Sequence, residues 1–434
     1  KFKMDKALDY TGAGNEFVGY EKLESAAKIV AIYVDGTSVA ALKEGQNGVV
    51  VLDITPFYAE SGGQLGDSGV LSLSDGQFQV TDTIKSGSAI VHKGYVAFGE
   101  LHLNEDVSAE VDAVRRQAIA LNHSATHLLH AALRQVLGAH VAQKGSQVGP
   151  ERLRFDFSHF EPLPPAVVRQ IEQIVNAQIR ANHEVVTALM SIDAARSSGA
   201  MALFGERYDD EVRVLAMGEF SKELCGGTHA RRTGDIGLFK IVSESGIAAG
   251  IRRIEAVTGQ VAIDLLHAIG EQVDSAAELL KGDGFSLAER VRAVADKQKL
   301  LERDNEQLRA KVIALESAGW LQDATTVNGV PLLVKQVDGA DAKGLRDMVD
   351  QLKNRLGSGV VFLATVRDDK ISLIAGVTKD LTSRISAGDL VGYVAQQVGG
   401  KGGGRPDLAQ AGGQDLAALP GALAALPAYV EQRL

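Results

Sequence analysis

At 434 residues the chain is too long for one ordinary core, since single cores rarely grow past roughly 250–300 residues, and several domains are expected. With 45% hydrophobic and 23% charged residues it is a globular sequence, and its formal net charge of −10 excludes a uniformly basic nucleic-acid binder while leaving room for a local basic patch. One cysteine excludes an internal disulfide, so a reducing, cytoplasmic setting is expected.

No apolar run reaches the length of about eighteen residues that a membrane span needs. The sequence opens on Lys1 with no charged-then-apolar leader, and reads as a fragment of something longer. From Lys28 to about Asp112, short apolar alternations broken by Gly, Asp and Ser predict a small β-barrel or sandwich. Within it FYAESGGQLGDSG, Phe57 to Gly69, reads as a glycine-rich loop, either a turn cluster or a backbone-lined ligand contact.

The period then becomes helical from Val111 to Val141. This helix carries NHSATHLLH, with His123 and His127 four apart and therefore one turn apart on one face. A strand (RLRFDFSHF), a helix from Pro165 to about Asn182 and further short elements lead to CGGTH, where Cys225 and His229 are again four apart. Three imidazoles and one thiolate are the ligand set that tetrahedral zinc prefers, and these four residues are the expected metal ligands. His130, one turn further on, is a reserve. Ser124 stands where the zinc peptidases carry a glutamate, which excludes a peptidase of that kind. Thr126, beside His127, could hydrogen-bond a hydroxyl-bearing substrate, and Gln143, just past the helix, a carbonyl or water, the alternative for both being a satisfied surface polar residue. The segment closes on IGLFKIVSESGIAAGIRRIEAVTG, two strands around a turn.

Two helices follow, one from Gln260 to Gly282 and a longer one to about Ala318. Stepping by four and three from Leu287 gives a heptad seam through Val291, Val294, Gln298, Leu301, Asn305, Leu308, Val312 and Leu315. Leucine at most d positions favours two-stranded pairing, either as a hairpin within the chain or as self-association through the 285–318 helix. The last portion alternates strands and helices up to GGKGGGRPDLAQAGG, 399–413. That stretch reads as a loop in which Lys401 and Arg405 could meet a phosphate, or as a flexible surface loop. The fold class is thus α+β and multidomain. A leading tail at 1–19 is followed by a β-barrel at 20–112, a two-layer metal-containing domain at 113–259, helical segments at 260–318 and a C-terminal α/β domain at 319–434.

Together FYAESGGQLGDSG, NHSATHLLH, CGGTH and SGIAAGIRRIEAVTG resemble the editing half of bacterial alanyl-tRNA synthetases, and the resemblance runs nearly the whole chain. It implies that residues 1–19 end a tRNA-recognition region, that the aminoacylation motifs are missing, and that the C-terminal glycine-rich module binds tRNA. It further implies hydrolysis of tRNA(Ala) mischarged with serine or glycine, with zinc on His123, His127, Cys225 and His229. By the same resemblance Thr126 reads the serine hydroxyl and Gln143 positions the ester. Arg252 and Arg253 are then expected to meet RNA, with neither membrane nor DNA as partner. The alternatives are a noncatalytic, zinc-stabilised tRNA-binding and assembly module, or a metallohydrolase of small molecules.

Overall fold

The computed structural model describes residues 8–12, 14–201 and 210–434, and the chain divides into two compact units, Lys1–Ser275 and Ala276–Leu434. Unit 1 begins with six antiparallel strands: β1 (Glu24–Val34), β2 (Asn47–Leu52), β3 (Gly69–Ser72), β4 (Gln77–Ser86), β5 (Ala89–Phe98) and β6 (Asp106–Val111). They run in the order β6-β3-β4-β5-β2-β1, and β6 pairs back onto β1 to close a barrel. Closure leaves no unpaired edge within the ring, and the inward-facing alternation of Ile29, Ile32, Leu52, Phe78 and Val80 fills it. The expected barrel is therefore found.

Two polar residues, Thr83 on β4 and His92 on β5, are buried in the barrel strands. His92 Nδ1 lies 2.8 Å from the carbonyl of Val50, which can only accept, so Nδ1 carries the proton and Nε2 takes a hydrogen bond from the Thr55 hydroxyl at 2.7 Å. Both ring nitrogens are thus used by the neutral form.

Asp112 ends the barrel and caps α1 (Ala113–Leu137), its carboxylate accepting from the Arg115 N–H at 3.0 Å. Beyond it come β7 (Gln143–Val148), β8 (Leu153–Ser158), α2 (Pro165–Ala181), β9 (Val185–Ser191), α3 (Ile192–Ser197), β10 (Glu211–Met217), β11 (Ser221–Leu224), β12 (Phe239–Ala248) and β13 (Ile251–Thr258). The sheet β7-β8-β13-β12 carries α1 and α2 on the face that presents Leu153, Phe155, Phe157 and Ile254, with a separate sheet β9-β10-β11 beside it. This is the expected two-layer α+β arrangement.

Helix α4 (Gly259–Leu279) crosses the boundary between the units, and α5 (Leu287–Trp320) opens most of unit 2. Within unit 2 the sheet order is β14-β15-β16-β17-β19-β18, from β14 (Thr325–Val327), β15 (Val330–Gln336), β16 (Val360–Arg367), β17 (Lys370–Val377), β18 (Gly402–Gly404) and β19 (Leu408–Gly413). The run VVFLATV in β16 is apolar but for Thr365 because both faces are covered. Val361 and Leu363 meet α6 (Ala342–Leu356), whereas Phe362 and Ala364 join the core shared with α7 (Ala387–Gln397) and α8 (Leu419–Glu431).

One expectation is corrected here. The stretch 399–413 is not a loop: most of it forms the antiparallel pair β18–β19. Its glycines permit close strand approach, since a Cβ on Gly402 would stand 2.2 Å from that of Ala411. Helix α8 lies beyond the last element read from the sequence; Leu426 and Val430 anchor it in the core although Pro427 stands inside it.

Burial pushes His92 down to about 4, against which its bond to Val50 works only weakly. The unfolded chain therefore takes up a proton near 6.5 that the folded barrel refuses, and stability is lost as pH falls from about 6.5 towards 4, by roughly 3 kcal/mol in all. Urea midpoints at pH 7 and pH 4.5 should fall less in His92→Gln, which keeps one donor and one acceptor but does not titrate, than in the parent chain.

Candidate metal centre

All nine residues from Asn122 to His130 are buried. A helix stretch with no solvated face must find a partner inside the protein for each polar side chain. The Asn122 amide donates to the Gly149 carbonyl at 2.8 Å and accepts from the Thr258 hydroxyl at 2.7 Å. Thr126 donates its own hydroxyl back to the Asn122 carbonyl at 2.8 Å. What remains is a set of imidazoles aimed at one point.

His123, His127, Cys225 and His229 each offer a ligand atom, and these four atoms lie within 4.8 Å of one another. Cys225 Sγ stands 3.5 Å from His123 Nε2 and 3.2 Å from His229 Nε2. A tetrahedral ion with metal–sulfur and metal–nitrogen bonds of zinc length would separate sulfur and nitrogen by about 3.6 Å. His127 Nε2 is buried with no hydrogen-bond partner among the described residues, the mark of an atom reserved for something else. The residues therefore fit a divalent metal.

Each ring's other nitrogen is already occupied. His123 Nδ1 lies 2.7 Å from the side-chain carbonyl of Gln64, His127 Nδ1 bonds the Glu223 carboxylate, and His229 Nδ1 lies 3.2 Å from the Ser124 hydroxyl. An imidazole whose Nδ1–H is held by oxygen presents its Nε2 lone pair to the centre. Gln64 is itself fixed, donating to the Thr228 hydroxyl at 2.7 Å and accepting from the Thr228 N–H at 2.9 Å. His130 is no ligand in this arrangement: its Nδ1 meets the second oxygen of Glu223 at 2.6 Å.

The charges follow from these contacts. Burial alone would raise the Cys225 thiol, but His123, His229 and His127 outweigh it and hold the thiol well below its usual value. Burial likewise opposes charge on Glu223, yet His127 and His130 bring it down to about 2. His127 escapes the downward pull of burial because Cys225 and Glu223 face it, and is pushed up to about 10, whereas burial and neighbouring imidazoles take His229 down to about 3.

Gln64 arrives from the barrel on the glycine-rich stretch 57–68, which docks on β7: Leu65 N–H donates to the Val148 carbonyl at 3.0 Å and Val148 N–H to that of Gly63 at 2.7 Å. Buried Asp67 anchors the stretch through two bonds from Arg116 Nε, at 2.9 and 3.1 Å, and one from the Tyr58 N–H. Gly227 sits where a Cβ would meet the His123 ring at 2.1 Å.

Of the other anticipated residues, Gln143 opens β7 half-buried, opposite Phe157. Arg252 is paired with Glu244 and Arg253 with Asp156. Lys401 and Arg405 are exposed and flank β18 in unit 2, where Arg405 pairs with Asp407 at 3.2 Å. Sequence reasoning passed over Gln64 and Glu223. Their signals were faint: a glutamine inside the glycine-rich stretch, and an acid two residues before the cysteine.

Three family models match the chain in order. The model for tRNA synthetases class II (A) matches residues 1–115, that for the threonyl and alanyl tRNA synthetase second additional domain matches residues 212–255, and the DHHA1 domain model matches residues 329–432. The chain belongs to the alanyl-tRNA synthetase family. The second-additional-domain match includes Glu223, Cys225 and His229, so half of the metal cluster lies inside it. Among solved structures, the C-Ala domain from Aquifex aeolicus alanyl-tRNA synthetase aligns with 30% identity over 25% of this chain and 97% of that one, at a TM-score of 0.24.

Glu223→Gln would set an amide N–H against one of two Nδ1–H groups, and divalent-ion affinity should fall about 10–100-fold in chelator competition. Because His127 is pushed up to about 10, metal uptake near neutral pH displaces its proton, and affinity should rise with pH.

Proposed function

We propose that unit 1 hydrolyses tRNA(Ala) mischarged with serine or glycine, at a zinc centre on His123, His127, Cys225 and His229, while the C-terminal domain grips the tRNA. The group of three anchored imidazoles and a thiolate, two of whose members lie in the match to the threonyl and alanyl tRNA synthetase second additional domain, carries this reading. Such a donor set suits zinc, and its two charges close the balance: one thiolate and the Glu223 carboxylate neutralise a divalent ion among neutral imidazoles. When bound, zinc supplies positive charge that polarises an ester carbonyl or holds a substrate amine.

The need for such a site is physical. A synthetic pocket shaped for alanine cannot exclude the smaller glycine by sterics, and rejects one added hydroxyl by only about a hundredfold. A second site must sort by a different criterion. Thr126, three residues after His123, has given its proton to Asn122, so its lone pairs are left to accept from a serine hydroxyl that alanine lacks. Gln143 is assigned to orienting the ester. Arg252 and Arg253, and Lys401 and Arg405 in unit 2, are assigned to RNA phosphates.

The zinc-loaded chain should deacylate Ser-tRNA(Ala) and spare Ala-tRNA(Ala), and Cys225→Ala and His123→Ala should each abolish the reaction. Thr126→Val should narrow the preference for the seryl over the alanyl ester by about tenfold or more. Zinc-dependent melting and tRNA binding with no deacylation would instead establish a noncatalytic zinc-stabilised module.

Self-association through α5 is part of the same proposal. Leu301, Leu308 and Leu315 on its seam are 57%, 61% and 77% exposed, which supports a helical partner. Sedimentation should show association in the parent chain and a changed partner number in Asn305→Leu, since a polar a position fixes register.

A further inference from the structure

The two ligand pairs come from segments about a hundred residues apart, and one short turn outside both of them touches each. Residues 18–22 precede the barrel. On one side, the Gly19 carbonyl accepts from Arg116 Nη1 at 2.6 Å, and Arg116 belongs to α1, two turns before His123. On the other, the Tyr20 hydroxyl donates to the Gly226 carbonyl, next to Cys225. The Arg213 guanidinium lies 3.5 Å from the centroid of the Tyr20 ring and donates from Nη1 to the Gly227 carbonyl at 2.8 Å. Both carbonyls of the glycine pair between Cys225 and Thr228 are thus held by two side chains that stack on each other.

The turn is built to make this contact. A Cβ on Gly19 would stand 2.2 Å from the Pro56 carbonyl, so only glycine lets the chain lie this close. Phe17 packs edge-on against Tyr20 at 4.9 Å and against Tyr58 at 6.0 Å, and Tyr58 belongs to the stretch that delivers Gln64. Nothing in Gly226 itself fixes its place, since a Cβ there would have only the Tyr20 hydroxyl, at 3.9 Å, within reach. Tyr20 remains 46% exposed and contributes little to any core.

We propose that the 18–22 turn is a strap across the metal centre, in which Tyr20, with Arg213, is a positioning residue that holds the Cys225–His229 turn in register with His123 and His127. The inference rests on the metal reading of the cluster, not on the hydrolytic one. A glycine pair released from Tyr20 and Arg213 lets the Cys225 sulfur wander from the imidazoles, so the thiol becomes more reactive and the metal leaves sooner. Tyr20→Phe keeps the ring under Arg213 but removes the hydroxyl, whereas Tyr20→Ala removes both.

The test uses the whole chain, cobalt(II) as the metal probe, and the thiol reagent DTNB on metal-free protein. Tyr20→Ala should release cobalt to a chelator about tenfold faster, shift the sulfur-to-cobalt absorption band and speed Cys225 labelling severalfold. Tyr20→Phe should fall between it and the parent chain, and Tyr95→Ala, on the barrel exterior, should match the parent. Melting curves identify any variant that unfolds. In that event Arg213→Met, which leaves the tyrosine in place, should show the same faster release and labelling. If release, absorption and labelling in folded Tyr20→Ala or Arg213→Met equal those of the parent, the strap is overturned. A parent chain that takes up no cobalt overturns the metal reading and the strap with it, whereas cobalt uptake without deacylation leaves the strap standing.

Discussion

An imidazole has two nitrogens, and a metal site needs only one of them free. In this chain the choice is made by oxygen atoms on Nδ1: Gln64 for His123, Glu223 for His127 and Ser124 for His229. Those three oxygens come from the barrel loop, from strand β11 and from α1 itself, so the centre is complete only when three parts of unit 1 are docked. Arg116 collects the barrel side, binding Asp67 through its Nε and the carbonyls of Gly19 and Pro56 through its other nitrogens. A buried pair of this kind is strongly unfavourable to break, by about 3–5 kcal/mol, because the survivor is left uncompensated. The barrel thus serves the centre as a support, although none of its residues is a ligand.

The same geometry couples metal to folding. The helix around His123 and His127 buries nine residues in succession, six of them polar or titratable, in space that would otherwise hold aliphatic side chains. Their desolvation is offset bond by bond except at His127 Nε2 and His130 Nε2, which keep no partner. A divalent ion held there would give the first of these a bond and neutralise Cys225 and Glu223 together. Much of the binding free energy of such an ion is therefore folding free energy of unit 1.

The four residues of the cluster were legible because they obey local rules. His123 with His127, and Cys225 with His229, keep a four-residue spacing that needs no knowledge of the fold, and α1 announces itself by its period. Three strands of the DHHA1 domain sheet, β15, β16 and β17, were legible for the same reason, each being a short apolar run between turns. Gln64 and Glu223 were not, since their roles arise only when distant segments dock. The glycines of 399–413 misled because glycine serves two opposite purposes, loop freedom and close strand contact, and sequence does not distinguish them. Pro427 stands inside α8, breaking a local rule that burial of Leu426 and Val430 overrides.

Around the centre, glycine marks contact rather than freedom. Gly19 lies against the Pro56 carbonyl, Gly63 would place a Cβ 2.4 Å from the Ser146 carbonyl at a φ of +89°, and Gly227 would place one inside the His123 ring. Each sits where one segment crosses another: the strap on the barrel, the barrel loop on β7, the cysteine turn on α1. A side chain at any of the three would separate the pieces whose docking selects the free nitrogens. The glycine-rich stretch at 57–69 and the CGG of the cysteine turn are therefore two halves of one requirement. Gln64 can reach the Nδ1 of His123 only because Gly227 is bare, since a Cβ there would also stand 2.7 Å from the Gln64 Oε1.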